Sequence, residues 1–199
     1  MKLFCFLIII IFFISCNSSE TNKMSNQENL ILNQNKDSFF PVTSFIKGQI
    51  AQLIKLPVTP LHTITINKKT DSIWIKREQL AKMLVNFVST EITETNLTAY
   101  FKETSFNDLS VNAVTLTYDL IKPLPDSIPL IHWDIYIDPE NGKIQKIYLV
   151  KQYKNKIDII TEQLTWQTDK SATITTLINK NGNRTELQKV EKFIWDFNN

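Results

Sequence analysis

The chain has 199 residues, 43% of them hydrophobic and 21% charged, and a formal net charge of +2. This balance is typical of a globular protein and argues against a collagen-like repeat, a coiled-coil rod, a disulfide mini-scaffold or a wholly disordered chain. Three glycines in the whole chain leave little material for a glycine-rich phosphate loop. The near-neutral charge also gives nucleic acid no concentrated basic surface to bind.

The first fifteen residues have the layout of a secretory signal peptide. Lys2 precedes an uninterrupted apolar run from Leu3 to Ile14, and the chain turns polar directly after Ser15 and Cys16. A positive end, a short apolar core and a small residue at the boundary are typical of a cleaved leader. A membrane-spanning helix needs roughly 20 apolar residues, and this run is shorter. We therefore assign residues 1–15 to a signal peptide.

Phe13-Ile14-Ser15-Cys16 resembles the lipobox of bacterial lipoproteins. The resemblance implies that Cys16 becomes the first residue after cleavage and carries lipid on its sulfur and its amine. Each buried methylene contributes about 0.8 kcal/mol, so several acyl chains anchor a protein stably. The implied location is the bacterial cell envelope, with the outer membrane favoured over the inner and the domain in the periplasm or at the cell surface. The alternative is a soluble secreted protein with a free Cys16 thiol.

Residues 16–38 are predicted to be the lipidated N-terminus and a flexible tether. Asn, Ser and Gln dominate this stretch, which has too little apolar area to offset the entropy of ordering it. As a flexible coil the tether would span about 25 Å on average. Cys5 would leave with the leader, so the mature chain would hold one cysteine and no internal disulfide.

The segment after the tether is predicted to be helical at three places and to contain one hairpin. Ser38 could cap the first helix and Pro41 fits its first turn; its apolar residues are Val42, Phe45, Ile46, Ile50, Leu53 and Ile54. A hairpin follows, joining Leu61–Ile66 to Ile73–Ile75. A second, amphipathic helix carries Leu80, Met83, Leu84, Phe87 and Val88. A shorter helix is predicted over residues 96–102.

The second half reads as consecutive strands. Six segments are rich in Ile, Val, Thr, Tyr and Trp: 112–121, 130–138, 143–153, 156–167, 172–180 and 184–195. Gly142 and Gly182 each follow an Asn, a pairing typical of tight hairpin turns. The prediction is a single α+β domain over 39–199, in which helices and one hairpin (39–108) pack on a long curved antiparallel meander of about six strands (111–196).

The hairpin around Gly142 allows its facing to be predicted. One side would carry the core residues Ile131, Trp133, Ile135, Ile137, Ile144, Tyr148 and Val150. The other side would carry His132, Asp134, Tyr136, Asp138, Ile147 and Leu149. Because this second side mixes polar, aromatic and apolar residues, we predict that it receives a ligand or partner.

The sequence contains no phosphate loop, dinucleotide fingerprint, His-Glu-x-x-His helix, Cys-x-x-Cys pair or Gly-x-Ser-x-Gly elbow. His132, Asp134 and Asp138 could form a metal or acid/base cluster, but metal sites usually take ligands from more than one element. We therefore expect no metal and no cofactor. The scattered acids Glu91, Glu94, Glu103, Asp108 and Asp119 read as solvated or capping groups.

Aromatic and basic residues give weaker candidates. Trp166 and Trp195 could present flat faces to a ligand, although packing is the ordinary role of tryptophan near strand ends. His62 is predicted to be a partly exposed structural histidine. A basic cluster of Lys151, Lys154 and Lys156 is predicted to keep a hairpin tip soluble.

These features together predict a non-enzymatic binding or assembly module, attached to the membrane through Cys16 and holding an unknown envelope protein or other envelope component. The alternative is a carrier of a lipid or small hydrophobic molecule in a cavity of the curved sheet. A hydrolase assembled from distant residues is a third option. Nucleic acid is not an expected partner.

Overall fold

Nine strands account for most of the regular structure in the computed structural model, which describes residues 38–182 and 184–197. The strands are β1 (Leu61–Ile66), β2 (Lys69–Trp74), β3 (Phe101–Asp108), β4 (Ala113–Leu120), β5 (Leu130–Ile137), β6 (Ile144–Lys154), β7 (Asp158–Gln167), β8 (Ser171–Lys180) and β9 (Arg184–Ile194). They form one open antiparallel sheet in the order β2-β1-β9-β8-β7-β6-β5-β4-β3. The predicted signal peptide, the predicted lipidation site at Cys16 and the predicted tether up to residue 37 lie outside the described residues.

The predicted α+β class, with amphipathic helices packed on a six-strand meander, is wrong, because the described residues are mostly one open nine-stranded antiparallel sheet with only two short α-helices. Helix α1 (Val42–Lys55) forms where it was predicted, although Pro41 rather than Ser38 occupies its N-cap position. Helix α2 (Leu80–Met83) is a single turn between two 3₁₀ turns, Arg77–Gln79 and Val85–Phe87. The longer amphipathic helix predicted here is broken because Leu84 leaves the α-helical region, with φ −94° and ψ 12°.

A tertiary hydrogen bond accompanies that break. Two residues after Leu84, the Asn86 carbonyl accepts hydrogen bonds from the buried Lys151 ammonium on β6 and from the Ser89 hydroxyl. Contact with the sheet therefore overrides the helical periodicity of this segment.

The short helix predicted over 96–102 is also wrong, because Phe101 begins strand β3. This edge strand pairs with β4 along its whole length, from Phe101 opposite Leu120 to Asp108 opposite Ala113. Most of its side chains are exposed on both faces, so it lacks the apolar alternation by which strands are recognised.

The six predicted strands correspond to β4–β9, and the predicted hairpin is β1–β2. Asn67 and Lys68 form its two-residue turn with φ of 49° and 65°, as the tight turn of a right-twisted hairpin requires. Strand β1 also pairs with β9, which extends the predicted six-strand meander at the end opposite β3. This pairing joins residues more than 120 positions apart, beyond the reach of local sequence patterns.

One face of the sheet, called the inner face below, carries the core. From α1 the residues Val42, Ile46, Ile50 and Leu53 are buried, and from the strands Trp133, Ile135, Ile147, Leu149, Leu164, Trp166 and Phe193. The Trp133 ring stacks on Tyr118 with centroids 4.4 Å apart. These core residues all lie in the compact unit Asp37–Asn199, so this unit has its own hydrophobic core.

The facing predicted for β5 and β6 is half right. Trp133 and Ile135 lie on the inner face, but they oppose Leu149 and Ile147, which were predicted to lie on the other side. Pairing shifts between Tyr136 opposite Lys146 and Ile137 opposite Ile144, so Gln145 is the extra residue of a β-bulge. Because one extra residue reverses the facing of the rest of a strand, Tyr148 and Val150 lie beside His132 and Asp134 rather than in the core.

Candidate functional site

Three central strands place a polar and aromatic cluster on the outer face, opposite α1. Cross-strand pairing sets Asp119 of β4 against His132 of β5, and Thr117 against Asp134. On the other side of β5, Asp134 opposes Tyr148 of β6. The alternation of β5 that buries Trp133 inside the sheet therefore presents His132 and Asp134 outside it.

His132 is held between two carboxylates. Its Nδ1 lies 2.8 Å from Oδ1 of Asp119, and its Nε2 lies 3.1 Å from Oδ2 of Asp134. The Thr117 hydroxyl donates a hydrogen bond of 2.7 Å to Oδ1 of Asp134. The imidazole is thus fixed at both nitrogens, and Asp134 is fixed at both oxygens.

The electrostatics of this cluster favour charged groups. The hydrogen bond to Asp134 has the strongest effect on His132 and, with Asp119, raises the pKa of the imidazole despite the opposing effect of burial. Burial is the largest influence on Asp134 and opposes its ionisation, but His132, Thr117 and the nearby Lys146 outweigh it and lower the pKa of Asp134. Each shift favours an ion pair of imidazolium and carboxylate.

Two half-buried tyrosines flank the ion pair. The Tyr148 ring meets the His132 ring edge-on at 6.4 Å, and the Lys146 ammonium lies 3.6 Å above the centre of the Tyr136 ring. Burial, followed by the negative charge of Asp134, raises the pKa of both tyrosines, so both hydroxyls stay neutral at physiological pH. The carboxyl side chain of Asp119 is 65% exposed and is the most accessible anion of the cluster.

Both ring nitrogens of His132 are engaged within the cluster. Nδ1 faces Asp119 and Nε2 faces Asp134, so neither nitrogen points at open solvent. In residues 38–182 and 184–197, no group of three or more His, Cys, Asp or Glu is arranged to hold a metal ion. A rigid surface with donors, acceptors and aromatic edges remains.

The other predicted site residues do not join this cluster. Asp138 lies in the β5–β6 turn, where its Oδ1 accepts a hydrogen bond of 2.8 Å from the Glu140 amide. Trp166 and Trp195 are buried on the inner face with ring centroids 5.2 Å apart, so neither offers an open ring to a ligand. Tyr136 does lie with His132 and Asp134.

His62 is buried rather than partly exposed, because 4% of its surface is accessible. Its ring lies parallel to Phe193 at 4.3 Å, and its Nε2 lies 3.6 Å from the Glu191 carboxylate. Burial is the largest influence and lowers the pKa of His62, although Glu191 opposes it.

A second charged cluster, on the inner face, was missed in the sequence. Lys151 was predicted to lie at a soluble hairpin tip, but it is fully buried and opposes Glu162 of β7. Its ammonium donates to the Asn86 carbonyl and, at 2.8 Å, to the Ser89 hydroxyl. Burial lowers the pKa of Lys151 to about 8, with Glu162 opposing the shift. Alternate residues of a strand face the same side, so the burial of Ile147 and Leu149 on β6 predicts that Lys151 also faces the inner side.

No protein family, no curated protein and no solved structure matches the chain. Among the described residues, no helix combines the length and the apolar character needed to cross a membrane.

Proposed function

We propose that the protein is a non-catalytic binding module of the bacterial cell envelope, anchored by lipid at Cys16, which holds a polar partner on the outer face of β4–β6. The observation that carries the proposal is the His132 side chain fixed between Asp119 and Asp134. A charged group immobilised before binding loses little further entropy when a partner arrives.

The surroundings of the ion pair support the same function. Tyr136 and Tyr148 provide rigid aromatic edges and neutral hydroxyls, and aromatic residues are enriched in binding surfaces. The helices and the segment between β2 and β3 contribute their buried residues to the core on the inner face. The outer face of β4–β6 is therefore the broad surface through which the sheet could meet a partner.

Photo-crosslinking in the native host tests the binding surface. A benzophenone amino acid replacing Tyr148 should yield a discrete crosslinked product that is lost when Asp134→Asn is added. The matched control is the same amino acid at Leu187, an exposed position on β9. Equal products from both positions, or none from position 148, would contradict a binding site around His132.

Membrane fractionation tests the anchor separately. The leader and the Phe13–Cys16 sequence support lipidation, so Cys16→Ser should remove the acyl chains and move the protein into the soluble fraction when the membranes are washed with high salt, which leaves an acyl-anchored wild type in the membrane. Ser15→Ala keeps a small residue before the cysteine and serves as the control. A Cys16→Ser protein that still carried acyl chains, or an unmodified wild-type Cys16 in mass spectra, would refute lipidation.

The alternative function, a carrier of a hydrophobic molecule, calls for a cavity within the sheet. The space between the sheet and α1 is occupied by a continuous cluster that includes Phe87, Trp133 and Trp166. This filled interior is why we favour a binding module over a carrier.

A further inference from the structure

Four exposed apolar residues lie at the end of the edge strand β2 and in the segments beside it, with Ile73 and Trp74, which are consecutive in the strand, on its opposite sides. Leu56 follows α1, Ile73 and Trp74 end the edge strand β2, and Phe197 follows β9; their exposed fractions are 48%, 55%, 60% and 53%. The rings of Trp74 and Phe197 lie 5.6 Å apart. These residues are called the apolar corner below.

The corner is built from several elements and is held in place. The Arg77 guanidinium donates a hydrogen bond of 2.6 Å to the Leu56 carbonyl, which ties the end of α1 to the segment after β2. An open groove of about 340 Å³ runs beside Trp74 and Arg77. A second groove, of about 500 Å³, runs beside Ile73 and shares Ile75 with the first.

Positive charge surrounds the apolar corner. Lys76 and Arg77 line the first groove and Lys82 lines the second, while Lys55 directly precedes Leu56. The acidic residues in the same segments are Glu78 and Asp196, so four cations stand against two carboxylates. Glu78 is already paired with Arg77 at 3.2 Å. The corner therefore carries a positive excess around exposed aromatic side chains.

We propose that the apolar corner docks on the interface of a bilayer that contains anionic lipid. Tryptophan favours the boundary between headgroups and acyl chains, and lysine side chains can lay their methylenes on the apolar region while their ammonium groups remain at the phosphates. Each cation near an anionic surface adds to the attraction between the protein and the bilayer. By contrast, Leu109, which is 90% exposed, lies in the β3–β4 turn beside the exposed Val111, and no basic residue occurs between Asp108 and Asn112.

Docking goes beyond the proposed binding function and does not require lipidation of Cys16. It rests on that function only for the nearness of a bilayer. If both hold, the tether restrains the domain close to the membrane and the corner fixes its orientation, which would leave the His132 cluster, several strands away, free for a partner.

Vesicle binding by residues 17–199 tests the docking directly. This chain retains the compact unit with its core and lacks the leader and Cys16, so neither can cause binding. Vesicles of phosphatidylglycerol and phosphatidylethanolamine should bind the protein in flotation assays at least tenfold better than vesicles of phosphatidylcholine.

Trp74 supplies a built-in reporter. Of the four tryptophans, Trp133, Trp166 and Trp195 are buried and Trp74 is exposed. On binding, the emission should shift to shorter wavelength and be quenched by brominated acyl chains. The Trp74→Phe variant should bind nearly as well and show neither change.

Paired variants separate the two parts of the interaction. Ile73→Ser with Trp74→Ser should weaken binding at least tenfold, and Lys76→Glu with Lys82→Glu should abolish the preference for anionic lipid. The controls are Leu109→Ser and Lys143→Glu with Lys154→Glu, which make the same changes elsewhere on the surface and should bind as wild type. Unchanged melting temperatures would show that each variant is folded.

The proposal is overturned if the wild-type chain does not bind anionic vesicles, or if the corner variants bind as well as the controls. It is also overturned if Trp74 responds to an acidic apolar peptide but not to vesicles, since the corner would then be a protein interface. None of these results affects crosslinking at Tyr148, so failure of docking and failure of the binding function can be told apart.

Discussion

Two charged clusters lie on opposite faces of the same sheet, and they differ in what surrounds them. The inner cluster centres on Lys151, which is fully buried and bonded to the backbone and hydroxyl of the segment that covers it. The outer cluster centres on His132, whose side chain is 26% exposed and whose partners come from neighbouring strands. One cluster clamps a covering segment and the other stabilises a surface.

The comparison shows how little the type of residue reveals without its facing. Burial works against the charge of Lys151, because its partners only partly replace lost water. The two carboxylates beside His132 more than compensate for its partial burial. Burial of the Lys151 charge therefore lowers the stability of the fold, while its hydrogen bonds hold the covering segment in place. The charged groups of the outer cluster are ordered and partly exposed, so a partner could contact them.

Truncating the core is the strongest way to test the difference between the faces. Trp133→Ala should lower the free energy of unfolding by about 3 to 5 kcal/mol, since the indole is fully buried and its loss leaves a cavity. Tyr136→Ala, on the same strand but facing outward, is the control and should cost about 1 kcal/mol or less. Urea denaturation measures both. Equal losses would mean that the outer face is packed as tightly as the core.

Local patterns were enough to place much of the sheet. Alternating apolar residues and Asn-Gly turns located β4–β9, and proline spacing with helical periodicity located α1. These features depend on neighbours within a few residues, which the sequence displays directly. The inward facing of Trp133 followed from the same alternation.

What could not be predicted depends on contacts between distant residues. The edge strand β3 has no apolar alternation, the β1–β9 pairing spans most of the domain, and the bulge at Gln145 reversed the facing of β6. For the candidate site, His132, Asp134 and Tyr136 were identified as one surface, but Asp119 and Tyr148 became their neighbours only through strand register. The burial of Lys151 was hidden for the same reason.

Raising the pH should reveal the cost of burying Lys151. Its pKa falls from 10.5 to about 8 in the folded protein, so above about pH 8 the unfolded chain binds more protons and stability rises with pH. The cost is present in full below pH 8 and corresponds to about 3 kcal/mol. Relative to Lys151→Met, wild type should therefore gain stability between pH 7.5 and 10.

The difference between the two proteins isolates Lys151 from the groups that face it. Burial raises the pKa of the neighbouring Tyr153 to about 12, above this range. Lys154→Met changes an exposed position of the same strand, and its free energy of unfolding should vary with pH as that of wild type does. The measurement is the free energy of unfolding, from urea denaturation, at a series of pH values. If it changed with pH in wild type as it does in Lys151→Met, the ammonium would be hydrated rather than buried.

The two histidines provide the smallest and most selective test, because their pH effects have opposite signs. The folded pKa of His132 lies above 6.5, so its stabilisation is complete below pH 6.5 and is lost as the pH rises through the folded value. At the acid end it fades as Asp134, whose pKa lies below 3.8, becomes protonated. The free energy of unfolding, measured by urea denaturation, should be higher in wild type than in His132→Gln by about 1 to 2 kcal/mol near pH 5.5. The difference should be smaller at pH 8.5.

His62→Gln is the matched comparison on the inner face. The folded pKa of His62 lies below 6.5, so protonation favours the unfolded chain and wild type should gain stability relative to this variant as the pH rises from 5.5 to 8.5. Glu191, 3.6 Å away, moderates that gain, and Lys189 adds to it. Two difference curves of opposite slope would show that the outer face stabilises a charged histidine and the inner face a neutral one. Curves of the same slope would mean that the two histidines are hydrated alike, and the distinction between an ordered charged surface and a sealed core would not hold.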